Sequence, residues 1–187
     1  MSTAKEKYRV EDALLDGRTL VIRAISASDK SVLAEGMHHL SPTSLYYRFL
    51  TPKKELTEKE LIYFTEVDFY KHVALLASIK TEEGEIPAGV GRYVMAEHPE
   101  NPLSAELAFA VNEEFQGLGI ATLLLKHLTE LARTAGVKSF TALVLAENRK
   151  MLDVFKHCQL PMKTKNNVPG VLDVVLELPG DDTSSLV

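Results

Sequence analysis

Tryptophan is absent from the 187 residues, and cysteine occurs once, at Cys158. A lone thiol excludes an intrachain disulfide and makes a cytoplasmic setting, where thiols stay reduced, the simpler expectation. No eighteen apolar residues run together, and Met1 to Val10 is polar without an apolar stretch, so neither export nor membrane spanning is expected. Positive charge is also scarce: 21 Lys and Arg stand against 26 Asp and Glu, a net charge of -5. With no basic stripe interleaved with aromatics, nucleic acid is not an expected partner. His38-His39, His72, His98, His127 and His157 are scattered without HExxH or Cys-rich spacing, so no metal site is expected.

The composition, 45% hydrophobic and 25% charged, is that of a chain able to bury a core as a single domain. We place that domain at residues 19–180, with an N-terminal extension at 1–18 and a loose tail at 181–187. Thr19 to Ile25 reads as a strand. Ser26 to Asp29 then offers caps for a helix running toward Leu40. Ser41-Pro42 opens a short helix through Leu50, and Thr57 to Glu60 is a capping box for another. Next come strand-like runs at His72 to Ile79, Ala88 to Met95 and Ala105 to Val111, separated by Gly, Pro and Asn. Leu118 to Ala135 is helical, with Leu124, Leu128 and Leu131 on one face and Gly136 as its stop. Phe140 to Leu145 reads as a strand, Asn148 to Cys158 as a helix, and Leu172 to Leu178 as a last strand. The order is a mixed α+β arrangement without βαβ repetition.

Gln116-Gly117-Leu118-Gly119-Ile120-Ala121-Thr122 joins a strand to the long helix with two glycines in the turn. A helix start presents unpaired N–H groups and the positive end of its dipole, and glycine lets backbone approach an anion, so this turn can seat a phosphate. A dinucleotide fingerprint fails, because Thr122 occupies the third small position and no acid lies about twenty residues on. A Walker loop fails because the chain contains no Gly-Lys-Ser/Thr triplet. The remaining pattern is Gln or Arg, two residues, Gly, one residue, then Gly or Ala, met by Gln116, Gly119 and Ala121. In this loop, with strand AELAFAV before it, FTALVLAEN after the helix and Asn148 opening the next helix, the chain resembles the GNAT N-acetyltransferases. In Ser41 to Phe49, Leu56 to Leu75 and Ala146 to Leu152 it is similar to the bacterial protein lysine acetyltransferases that act on acyl-CoA synthetases.

That resemblance implies a three-layer α/β fold, with a mixed, mostly antiparallel sheet flanked by helices. It also implies direct transfer of acetyl from acetyl-CoA to an amine, either a protein lysine or a small molecule. Gln116 to Thr122 would hold the pyrophosphate through backbone N–H groups, and Phe109, Ala110 and Val111 would pair with the pantetheine arm. Asn148, Met151 and Phe155 would meet the cofactor from the next helix. Glu106 would be the general base; its plainer alternative is a strand glutamate facing solvent. Where many relatives carry a tyrosine acid, this chain has Phe155, which puts such an acid in doubt and is otherwise a core residue. Cys158 is expected to pack rather than attack, since no His is placed to activate it. Glu66, Asp68, Tyr46 and Tyr47 could touch a substrate, yet solvation and packing are their ordinary roles. A non-catalytic acyl-CoA-binding module is the alternative of another class.

Overall fold

The computed structural model describes residues 6–95 and 103–179. His98 and the tail at 181–187 lie outside the described residues.

Among the described residues eight strands form one sheet in the order β1-β2-β3-β4-β5-β6-β8-β7. They are β1 (Arg9–Ala13), β2 (Thr19–Ala24), β3 (His72–Thr81), β4 (Gly84–Met95), β5 (Ser104–Val111), β6 (Ser139–Leu145), β7 (Met162–Val168) and β8 (Val171–Glu177). All neighbours pair antiparallel except β5 and β6. Five helices among the described residues flank the sheet: α1 (Lys30–Gly36), α2 (Pro42–Phe49), α3 (Glu58–Thr65), α4 (Ile120–Thr134) and α5 (Arg149–His157). This is the expected mixed, mostly antiparallel α+β architecture.

Two strands were not legible in the sequence. Residues Arg9–Ala13, within the stretch read as an extension, pair with β2 from Arg9↔Arg23 to Ala13↔Thr19. Residues Met162–Val168 pair with β8. Both lie at the ends of the sheet, and their polar sequences, RVEDA and MKTKNNV, suit an edge where charge discourages further pairing.

The expected caps are present. Ser41 Oγ accepts from the Ser44 amide, and Thr57 and Glu60 close a capping box on α3. Gly136, at φ +80°, follows α4 in the left-handed conformation that glycine adopts without strain. The helix expected to reach Leu40 is shorter, because single 3-10 turns at Ala27–Asp29 and Met37–His39 flank α1.

The two faces of the sheet carry separate cores. Leu124, Leu125, Leu128 and Leu131 of α4, with Leu152 and Phe155 of α5, join Val73, Leu75, Tyr93 and Phe140 in the larger one. On the other face Ile25, Leu33 and Ala74 pack with Leu56, Leu61, Phe64 and Val90. Residues opposite one another across paired strands share a face, so Arg92, Ala108, Val94 and Glu106 all turn toward the α1–α3 side. Among the described residues no helix is long and apolar enough to cross a membrane.

Candidate active site

The parallel pairing of β5 with β6 covers only Ser104↔Ser139, Ala105↔Phe140 and Glu106↔Thr141. Past Glu106 the strands part, and a cleft of about 1030 Å³ opens between them. β5 stays paired to β4 throughout, as far as Val111↔Gly89. The Asn112 N–H donates to the Ala88 carbonyl across that pair (2.9 Å). In an antiparallel ladder alternate residues turn both peptide groups toward the partner. Glu106, Ala108 and Ala110 therefore give theirs to β4, while Leu107, Phe109 and Val111 turn theirs to the cleft. Of the three residues expected to pair with the arm, Ala110 has its peptide groups committed to β4; Phe109 leaves both of its own to the cleft, and Val111 leaves its N–H, its carbonyl accepting from the Gln116 side chain.

At the far end of β5 a 3-10 turn, Glu113–Phe115, leads into the glycine loop. Gly117 (φ +81°) and Gly119 (φ +92°) both sit where an L side chain is strained, and Gly119 is the N-cap of α4 with no side-chain cap bond. The first amides of α4 thus open on the cleft, whose wall includes Gln116, Gly117, Gly119, Ile120, Ala121 and Thr122. Leu118 departs from expectation: it is not in that wall, packs against the core, and its carbonyl accepts from the Leu15 amide (3.3 Å). The Gln116 N–H is also committed, donating to the Glu113 carbonyl (3.3 Å).

The Gln116 side chain ties the site together. Its Nε2 donates to the Val111 carbonyl (3.2 Å) and Ser44 Oγ (3.4 Å), and its Oε1 accepts from Lys150 Nζ (2.8 Å). Glu113 accepts from the Ser41 amide (3.1 Å) and Ser44 Oγ, bonds that hold its carboxyl below the usual carboxylate range. Start of α2, glycine loop and start of α5 are thereby joined.

Asn148 caps α5 by accepting from the Met151 amide (3.2 Å), and both line the cleft. Phe155 is fully buried, its ring 6.3 Å from that of Phe109, so it is a core residue forming the floor. Glu106 lines the cleft and is exposed, so it meets solvent as the plainer alternative has it while standing in the site. Opposite it stands Arg48 of α2, half-buried, whose pKa is lowered by desolvation, with the Glu106 carboxylate opposing that shift. Tyr47, Ser44 and Thr43 complete the α2 side.

A model of the Acetyltransferase (GNAT) family matches residues 37–159. The chain belongs to that family. Membership makes it an acetyltransferase, with acetyl-CoA as the acetyl donor that the family uses. Among its relatives, the acetyltransferase PA5475 of Pseudomonas aeruginosa is 29% identical over 144 residues, covering 76% of this chain and 75% of the relative. Acetyltransferase Pat of Mycolicibacterium smegmatis is 32% identical over 142 residues, 73% of this chain but 40% of that protein. The crystal structure of the GNAT domain of S. lividans PAT superposes with a TM-score of 0.82 at 32% identity, covering 95% of this chain and all of that one.

Other residues of this GNAT enzyme weighed from sequence fall away from the chemistry. Cys158 donates its thiol to the Phe155 carbonyl (2.9 Å), and burial pushes its pKa up, the reverse of what a nucleophile needs. Burial would raise the Asp68 pKa, but amides of Tyr70, Lys71 and His72 donating to Oδ1 outweigh it, so its carboxylate is a turn-former. Glu66 pairs with Lys30. Sequence reasoning missed Ser44, Lys150, Arg48 and Leu15. Ser44, Arg48 and Lys150 lie within the stretches that carry the resemblance, though no pattern singled them out; Leu15 is an apolar residue in a polar Asp-Gly turn, 83% exposed and lying against Gly119.

Proposed function

We propose that this acetyltransferase modifies the ε-amino group of protein lysines, with Glu106 as its general base. The observation that carries the reading is the cleft itself. The Glu106 carboxylate stands in its wall on β5, apart from Glu147 and Asp153 on the α5 side, and the same wall holds open strand backbone and uncapped helix amides, while α2 lines the acceptor side. Likeness to acetyltransferase Pat and to the GNAT domain of PAT favours the acceptor class.

The residues present fit acetyl-CoA. The first amides of α4 would hold its pyrophosphate, with Lys150 adding charge from α5. The turned-out peptide groups of Phe109 and the N–H of Val111 would receive the pantetheine arm as an added strand, and Asn148 would approach from α5. When bound, the coenzyme supplies a thioester whose acyl carbon accepts an amine. A lysine ammonium must first lose a proton, at roughly 4 to 5 kcal/mol at neutral pH. Glu106, directly or through a water, takes it. With Phe155 in the floor, no tyrosine hydroxyl is offered there, so the thiolate takes its proton from solvent.

The test is thiol release from acetyl-CoA with acyl-CoA synthetases and small amines assayed side by side, each acceptor then mapped for acetyl-lysine. Replacing Glu106 with Gln should lower kcat about 10² to 10⁴ fold and abolish the acid limb of the pH profile, leaving acetyl-CoA affinity intact. Unchanged turnover in that variant removes Glu106 from the reaction. Turnover with small amines alone removes the lysine assignment.

A further inference from the structure

On the α1–α3 side, a second hollow of about 70 Å³ adjoins the cleft and shares Leu40, Arg48, Phe49 and Ala110 with its wall. It is apolar but for Asn112, whose Nδ2 is spent on the Pro87 carbonyl (3.0 Å), and two arginines, Arg48 and Arg92. Arg92 is 3% exposed. Its Nη1 donates to the Phe64 carbonyl (3.1 Å) and to His72 Nε2 (3.1 Å), and its buried Nε has no partner. Since a guanidinium has only donors, that His72 nitrogen must be proton-free, which makes the ring neutral when its other nitrogen carries the proton. His72 therefore supplies no counter-charge.

Arg48 is held by rings, its guanidinium 4.9 Å from the Phe49 centroid and 5.7 Å from that of Phe64, while the Arg92 guanidinium lies 4.5 Å from Phe64. Among the described residues neither arginine forms an ion pair with a carboxylate. Desolvation and the like charge of Arg48 bring Arg92 down to about 9. Arg92 is a buried charge whose partners are all neutral, an arrangement that an apolar side chain of similar volume often matches or betters for stability. The arrangement makes sense if something anionic completes it.

We propose that this hollow receives a carboxylate carried by a substrate, seated between Arg48 and Arg92. Guanidinium groups bind carboxylates through paired, charge-assisted hydrogen bonds, and apolar walls strengthen the attraction. The hollow shares Arg48 with the cleft wall, on the side opposite Glu106, so the group arrives by one of two carriers. One is a dicarboxylic acyl chain such as succinyl. In that case the C–S bond of succinyl-CoA breaks, the amide C–N bond forms, the amine proton passes to Glu106 and the coenzyme leaves as its thiol after protonation by solvent. The other is an acidic side chain next to the acceptor lysine. The proposal rests on acyl transfer in this cleft and, for the second carrier, on the lysine reading.

The experiment measures thiol release by the full chain for two pairs: succinyl-CoA against acetyl-CoA, and lysine peptides with Glu against Gln beside the acceptor. Wild type should favour the carboxylate-bearing member of one pair at least tenfold, and that pair identifies the carrier. Arg92→Met and Arg48→Gln should each cut the preference below threefold, with the Arg92→Met thermal midpoint at or above that of wild type. If Arg92→Met does not fold, Arg48→Gln and Arg92→Lys carry the comparison. Equal treatment of both pairs by wild type, or a preference surviving both substitutions, overturns the proposal. Should no acceptor turn over, the lysine reading fails separately. Titration of succinate into the coenzyme A-bound protein then decides: binding lost in both variants upholds the pocket, and absence of binding to wild type ends it.

Discussion

His72 shows how a single side chain can couple the site to pH. It is 8% exposed and faces Arg92, and burial first, then that neighbouring charge, lowers its pKa to about 4. Unfolded, the ring titrates near 6.5. Between those values the unfolded chain holds a proton that the folded chain lacks, so stability is full above pH 6.5 and falls as pH drops toward 4. From pH 7.5 to 5 the loss is bounded by about 2 kcal/mol, and about 1 kcal/mol remains after allowance for solvent at its partly open edge. Urea midpoints at the two values, compared between wild type and His72→Gln, measure it; a variant with the same pH slope as wild type would acquit the ring. None of this could be foreseen. His72 stood at the head of an apolar run, and its partner arrives only through the register that sets it opposite Val94, two residues past Arg92.

Strand and helix packing explains why β4 carries glycine in its centre. A Cβ on Gly91 would lie 3.0 Å from two ring carbons of Phe109 and 3.2 Å from Leu128 of α4. Gly91→Ala must therefore displace the ring of a residue whose backbone faces the cleft. We expect a loss of about 1 to 3 kcal/mol in stability, as for other overpacked cores, together with several-fold weaker acetyl-CoA binding by calorimetry. Lost stability with unaltered affinity would dissociate Phe109 from the coenzyme arm. At this scale the sequence was informative wherever the signal was local: caps at Ser41, Thr57 and Asn148, the leucine face of α4, the glycine loop. The edge strands β1 and β7 escaped because polar residues mask their alternation. The two-arginine hollow escaped because helix α2 and strand β4 meet only in the folded chain.

For the molecule as a whole, the sheet is continuous yet thinly joined at its middle, where β5 and β6 share three residue pairs. A ligand that fills the gap beyond them binds the folded state alone. At acetyl-CoA one hundredfold above its Kd, folding should gain about 2.7 kcal/mol. For a chain of this size that raises the thermal midpoint by roughly 5 to 10 °C. Differential scanning fluorimetry with acetyl-CoA, against desulfo-pantetheine lacking the pyrophosphate as control, checks it; no shift with the coenzyme would separate this chain from its family's donor.

The parting of those two strands leaves peptide groups of β5 facing a gap, where an extended metabolite could stand in for a strand. Binding that adds to folded stability would lower the fraction of chains unfolded and open to proteases. The abundance of the protein would then track the supply of its own reagent, a form of housekeeping that needs no added sensor.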